Sequence, residues 1–349
     1  MSEFVLLVVD DKQVKCDLAS LKKIGEGGEG AIYAIERDIY TNSNLQCIKI
    51  LTNPDAEKIA VITHAAKTSR HVWQTLDGYA TTPLFLVYDE TGKQVRGYGM
   101  HRLGGWRNLG NIGDIMTKGG AKRAGVGMKE TAQIFLDLQR AVALAHKQGF
   151  IIGDFNSSNV LFRKELFQLL PSPSWGREYK VTLIDTDSWS INRPDLGLVY
   201  FPGIVDKMEL YHPDYLRADL EGNAHPQANE SHDWWAFSYL LWKALTKHDP
   251  FTGGEIHGET TKSRLANIMA GIDSQLDFDT DPEIALSTLR LGPVMQNTLN
   301  RFLTLKFQRA FPALLIEQFI GEICTCPQCE EEMSRSAVFC PGCLNKIPD

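Results

Sequence analysis

The sequence predicts an α+β protein with its strands gathered early, its helices later, and a small cysteine-rich unit at the end. Three observations predict it. The first hundred residues carry short alternating apolar runs broken by glycine and Asn/Asp turns. Residues 129–148 and 233–246 carry helix-length apolar patterns. Five of the seven cysteines fall in the last twenty-six residues. With 349 residues the chain has room for about two domains. Charged residues are 23% and hydrophobic ones 43%, which excludes global disorder.

The elements follow in order. Phe4 to Val9 is a strand. Residues 21–35 read as strand, glycine turn, strand, and residues 45–50 as a further strand after the turn at Thr41-Asn42-Ser43-Asn44. Asn53-Pro54-Asp55 opens a helix, with Asn53 as N-cap and Pro54 at the first helical position. Residues 84–88 and 95–102 flank a turn at Asp89-Glu90-Thr91-Gly92 and form a hairpin. Phe135, Leu138, Val142 and Ala145 recur at helical spacing. Phe150-Ile151-Ile152, residues 159–162 and residues 181–184 are short strands. Residues 189–230 read as irregular, 233–246 as a buried helix with three tryptophans, and 260–321 as mostly helical.

Net charge is −7, from 36 Lys plus Arg against 43 Asp plus Glu. That disfavours a chain built to bind nucleic acid or an anionic membrane. No apolar run approaches a membrane span, and Met1-Ser2-Glu3-Phe4 lacks the basic start of a secretory signal, so a cytoplasmic location is expected.

Several residues carry chemistry. Gly25-x-Gly27-x-x-Gly30 is a common turn pattern, and a dinucleotide fold would follow it with a helix. Here the alternating run Ala31-Ile32-Tyr33-Ala34-Ile35 follows, so the glycines lie between strands, an arrangement that can fold over phosphates. Lys49 sits between two isoleucines, nineteen residues beyond Gly30. It can snorkel to a surface or reach phosphates. Asp154-Phe155-Asn156-Ser157-Ser158-Asn159 follows a helix and a short strand. Asp and Asn form turns, but in this context one can orient a hydroxyl while the other holds Mg²⁺. Asp185, just after an apolar strand, can cap a loop or ligate Mg²⁺.

Together these residues resemble the eukaryotic-like (Hanks-type) protein kinases over about residues 15–320. The resemblance implies a bilobal fold, with a β-rich N-lobe at 1–103, a helical C-lobe at 104–321, and ATP in a cleft between them. It implies that Gly25, Gly27 and Gly30 cover the phosphates, that Lys49 contacts them, that Asp154 is the catalytic base, and that Asn159 and Asp185 are Mg²⁺ ligands. Met100 corresponds to the gatekeeper, and His101-Arg102-Leu103 to the hinge that meets adenine. Asp233 matches the buried aspartate that supports the catalytic loop. Asp214, in His212-Pro213-Asp214, is expected to pair with Arg309.

The departures are specific. Ile152-Gly153 replaces His-Arg before Asp154, Asn156 replaces a lysine, and Asp185-Thr186-Asp187 replaces Asp-Phe-Gly. Missing the arginine, the chain has no obvious acceptor for an activation-loop phosphate. A hairpin around Pro171-Ser172-Pro173-Ser174 is expected in the long stretch after Asn159. Glu57 is the one carboxylate on a suitable face of the 54–67 helix to pair with Lys49, or it simply complements the helix dipole. With His248-Asp249-Pro250-Phe251, the wording resembles a bacterial branch. Its members imply a Ser/Thr protein substrate, a cognate phosphatase and a von Willebrand-type domain protein as partners. A nucleotide-binding pseudokinase scaffold and a small-molecule kinase are the rival readings.

In the tail at 322–349, Cys326-x-x-Cys329 and Cys340-x-x-Cys343 are ten residues apart. Four thiolates at this spacing suit tetrahedral Zn²⁺ and resemble a zinc ribbon. A redox dithiol needs only one such pair, and disulfides need an oxidising compartment. Cys324 is the spare, since the two proline-containing knuckles favour Cys326. The segment is too short to fold on a core of its own, so metal is its expected stabiliser. From 321 onward acids outnumber bases, which favours protein docking or fold capping over phosphate binding.

Overall fold

A computed structural model of the chain describes residues 4–9, 12–35, 46–68, 76, 78–109, 126–164, 179–194, 198–200, 210, 212–246, 262–263, 266, 292–294, 297, 312–340 and 342–346. It is a mixed α/β structure with a large antiparallel sheet, several helices and a four-cysteine cluster near the C-terminus. The chain divides into two compact units, each discontinuous in sequence. One comprises Met1–Trp106, Leu144–Ile152 and Thr182–Val205; the other comprises Arg107–Ala143, Gly153–Val181 and Asp206–Asp349.

The first unit is organised by a seven-stranded sheet. Its strands are β1 (Phe4–Val9), β2 (Lys12–Asp17), β3 (Lys22–Gly27), β4 (Gly30–Ile35), β5 (Gln46–Leu51), β6 (Phe85–Asp89) and β7 (Val95–His101). They lie in the order β2-β1-β6-β7-β5-β4-β3. Strand period explains the two faces. Val5, Leu7 and Val9 alternate inward with Ile48, Ile50, Phe85 and Val87 on one face. Cys47, Leu51, Leu86, Tyr98 and Met100 line the other, with Ile62 of helix α1 (Ala56–Thr68).

The predicted strands 4–9, 21–35 and 45–50 and the hairpin at 84–102 are all present. The predicted start of α1 is corrected. Asp55, not Asn53, is the cap: its carboxylate accepts the Lys58 N–H at 2.7 Å. Asn53 instead has φ 49°, a left-handed conformation that asparagine tolerates. Gly30 is required by packing, because a Cβ there would lie 2.2 Å from the Ile50 carbonyl oxygen.

The rest of this unit includes a small sheet in the order β13-β12-β9, with β9 (Phe150–Ile151), β12 (Ser190–Arg193) and β13 (Leu198–Tyr200). Residues 183–186 are tied to the segment 79–81. Leu183 N–H donates to the Tyr79 carbonyl at 2.8 Å, Thr81 N–H donates to the Leu183 carbonyl at 2.9 Å, and the Thr186 hydroxyl donates to the Thr81 carbonyl at 2.8 Å.

The described residues of the second unit are mainly helical, with short strands β8 (Arg107–Asn108) and β10 (Val160–Lys164) paired antiparallel and β11 (Tyr179–Leu183) starting there. The unit holds α2 (Met128–Lys147) up to Ala143, then α3 (Pro213–Glu221), α4 (Glu230–Thr246) and α5 (Ala313–Glu322). Phe135 of α2 and Phe155 both pack on Phe237 of α4, at 5.6 and 6.5 Å between ring centroids. Helix α4 is buried nearly all round, including Trp234, Trp235 and Trp242. The expectation of irregular chain over 189–230 is corrected. β12, β13 and α3 lie there, and α3 is set by Pro213 in its first turn and Gly222 at φ 68° as its C-cap. The hairpin expected at 171–174, the motif at 248–251 and Arg309 lie outside the described residues.

Candidate functional site

Lys49 lies on β5, directly opposite Tyr98 of β7, so the two share the face that α1 covers. Its side chain is 5% exposed. A buried ammonium needs compensating charge. It finds Asp187 at 2.8 and 3.1 Å, Asp185 at 3.1 Å and Glu29 at 3.7 Å. The Tyr98 hydroxyl donates to Asp187 at 2.7 Å. Lys58 of α1 reaches Glu29 at 2.7 Å and Asp187 at 3.8 Å.

The two carboxylates flanking Thr186 differ. Asp187 is fully buried; burial alone would raise its pKa, but Lys49 and the bonds from Lys49 and Tyr98 pull it below the ordinary carboxylate value. Asp185 keeps 33% of its side chain exposed and sits at φ 58°. Its pKa is raised, by burial first and by the neighbouring Asp187 charge, against the pull of Lys49. Lys49 is pushed above the ordinary lysine value, because the two aspartates outweigh its burial. Glu57 is exposed in the first turn of α1, where an acid complements the helix dipole, and Lys49 is met by Asp185, Asp187 and Glu29 instead.

The loop after β9 forms its own cluster in the second unit. Asp154 accepts the Asn156 amide at 2.7 Å and the Asn159 amide at 2.8 Å on its two carboxylate oxygens. Asn159 spends its NH₂ on Asp154, which leaves its carbonyl oxygen as the end available to a cation. Asn156 also caps the short 3-10 turn at Ser157–Asn159, accepting the Ser158 N–H. Gly153 has φ 69°, and its N–H donates to Asp233 of α4 at 2.9 Å. A glycine suits this left-handed position better than an arginine does.

The other residues singled out in the sequence fall as follows. Gly25 and Gly27 belong to β3 and Gly30 opens β4. A side chain at Gly27 or Gly28 would meet nothing within 4 Å, so packing does not demand glycine there. Met100 is buried near the end of β7, His101 closes that strand, and Leu103 follows it half-buried. Asp214 makes an i,i+3 ion pair with Arg217 at 3.1 Å, and its N–H donates to the His212 cap.

The four tail cysteines converge. Strands β14 (Ile323–Thr325) and β15 (Glu332–Ser334) pair, and the two knuckles bring the sulfurs of Cys326, Cys329, Cys340 and Cys343 within 4.8 Å of one another. Cys326 and Cys343 are 3.9 Å apart, and Cys329 and Cys340 are 3.4 Å apart. Four sulfurs around a tetrahedral ion with Zn–S bonds of ~2.3 Å lie about 3.8 Å apart, so the cluster can hold zinc. Backbone N–H groups of Gln328 and Cys329 aimed at Cys326 lower its thiol pKa to about 7. Cys324 stands on β14, outside the four.

Asp187, Tyr98, Glu29 and Lys58 were missed by sequence reasoning. Asp187 was visible only as a departure from Asp-Phe-Gly. A second carboxylate two residues from a candidate ligand was the available signal. No family model matches the chain, and no curated protein matches it. No helix among the described residues is long and apolar enough to cross a membrane.

Proposed function

We propose that this chain is an ATP-dependent protein kinase that transfers a γ-phosphoryl group to serine or threonine hydroxyls. The observation that carries the reading is Lys49. A lysine 136 residues from Asp185 in sequence lies buried on a central strand with its ammonium on that carboxylate. Such an ammonium suits a polyphosphate, and its partners keep it charged. The open surroundings of Gly27 and Gly28 add support, because glycine there leaves room for a ligand against the backbone.

The donor set fits Mg²⁺, a hard ion that takes carboxylate and amide oxygens. Asp185 of the first unit, a third of whose side chain is exposed, and Asn159 of the second, whose NH₂ is given to Asp154, are the proposed ligands. Bound there, the ion neutralises charge on the phosphates. Lys49 adds a second positive charge. Asp154 orients the acceptor hydroxyl, and the Asn159 amide fixes the carboxylate in place. Catalysis is then positioning and charge neutralisation. We also propose zinc as the ion of the cysteine cluster, in a closed structural site that caps the second unit and can dock a protein. Protein substrates, a cognate phosphatase and a von Willebrand-type domain protein are the proposed partners.

A nucleotide-binding scaffold is the second reading. It is favoured by the two side-chain amides that already occupy both oxygens of Asp154. Transfer of label from γ-labelled ATP with Mg²⁺, to the protein and to a generic Ser/Thr acceptor, separates the two. Kinase activity predicts label that falls roughly 10²–10⁴-fold in Asp154→Ala and is lost in Asp185→Ala. Tight nucleotide binding with no label in any sample selects the scaffold.

A further inference from the structure

We infer that Asp187 is the positioning residue that holds the Lys49 ammonium for phosphate, a task that no carboxylate of helix α1 performs. This rests on the nucleotide-site reading above. Three observations carry it. Asp187 is completely buried and gives both its oxygens to Lys49, at 2.8 and 3.1 Å. It is clamped from the sheet by the Tyr98 hydroxyl, which belongs to the residue paired with Lys49 across β5 and β7. Its backbone is fixed by the buried neighbour Thr186, whose hydroxyl is bonded to the Thr81 carbonyl.

Lys49 is thus oriented from the strand side by a carboxylate on the short turn at Thr186–Ser188. Asp185, a third exposed and touching Lys49 through one oxygen, is left for a cation. The two carboxylates of Asp185-Thr186-Asp187 therefore have separate tasks. The outer one meets the metal and the inner one sets the lysine. A phenylalanine at 186 and a glycine at 187 could supply neither the Thr81 bond nor the second carboxylate. Glu29 and Lys58 complete the surroundings of the pair, with Glu29 bridging the two lysines.

The test is the rate of Lys49 acetylation by acetic anhydride as a function of pH, read by mass spectrometry in the full-length protein. Lys93, in the exposed turn after β6, serves as the internal standard. Removal of the inner carboxylate lets Lys49 lose its proton at lower pH. Asp187→Asn is expected to raise the Lys49 rate at pH 8 about tenfold. Tyr98→Phe is expected to raise it about threefold, and Asp187→Glu to return it toward the parent value. A Lys49 rate within twofold of the parent in Asp187→Asn, or a larger effect from Asp185→Asn, overturns the assignment. If Asp187→Asn does not fold, Tyr98→Phe decides in the same way, since an unchanged rate there removes the clamp. Protection of Lys49 by Mg²⁺·ATP in the parent protein is measured alongside. Absence of protection overturns the nucleotide reading, while the pH profile still decides whether Asp187 holds Lys49.

Discussion

The Lys49 network and the four-cysteine cluster both concentrate like charges, but they are held together in opposite ways. Around Lys49, three carboxylates face two ammonium groups and a neutral phenol, and the scaffold is a seven-stranded sheet with apolar residues on both faces. In the tail, the four sulfurs sit in a segment with a small buried cluster of Cys326, Met333 and Cys340. The first arrangement pairs opposite charges within the fold itself. The second can hold a cation, which would offset the repulsion of four thiolates around a small apolar core.

Removal of metal gives the largest expected effect and separates the two regions. A strong chelator should unfold the hairpin β14–β15, given that structural zinc sites supply on the order of 10 kcal/mol. Amide hydrogen exchange should then rise across 323–346 and stay unchanged across β5 and β7. Equal loosening of both regions would show that they are not independent.

Breaking the ion pair comes next. Lys49→Met leaves Asp187 buried without its main cation, and such changes cost about 3–5 kcal/mol. Chemical denaturation should show that loss. Lys49→Met combined with Asp187→Asn should recover most of it, because neither buried charge then remains.

Acid tests a third region. His212 and His232 are buried side by side, 4.7 Å between ring centroids, with Tyr215 bonded to His232. Burial lowers the pKa of both, with the His232 charge adding to the effect on His212, which falls to about 4 even though Asp214 pulls the other way. Unfolded histidines bind protons near pH 6.5 and the folded ones do not, so the unfolded state gains protons first on acidification. Stability should be fully present above about pH 6.5 and fall between there and about pH 4. His212→Gln should flatten that part of a melting-temperature profile. The same cluster does not suit a metal. Nδ1 of His212 accepts from the Asp214 N–H and Nδ1 of His232 from the Asn229 N–H, which puts the proton of each neutral ring on Nε2.

The smallest expected effect joins the tail to the rest of the second unit. Glu332 of β15 accepts the N–H groups of Met128 and Lys129 at 2.5 and 3.2 Å, capping helix α2. Arg335 N–H also donates to the Glu322 carbonyl at 2.7 Å, so the hairpin is fastened to the end of α5. Glu332→Gln should cost about 1 kcal/mol, since an acid at a helix start complements the dipole. Chelation should make that substitution silent, because the cap leaves with the folded hairpin.

The sequence by itself determined what is local. Strand alternation at 4–9, the glycine turn between β3 and β4, the spacing of Phe135, Leu138 and Val142, and two Cys-x-x-Cys pairs depend on neighbours a few residues apart, and each was legible. The start of α1 was misplaced because Asn53 and Asp55 are both good caps, and only the backbone conformation chose between them. Tertiary structure alone decided the company of Lys49. Asp187 lies 138 residues away in sequence, and its burial follows from the Thr81–Leu183 and Thr81–Thr186 bonds that no periodicity encodes. It likewise decided that the Glu332 carboxylate meets the start of α2, some 204 residues away in sequence. The physical reason is the same in both cases. A short-range pattern is set by backbone geometry, whereas a buried charge finds its partner only when packing has excluded water from it.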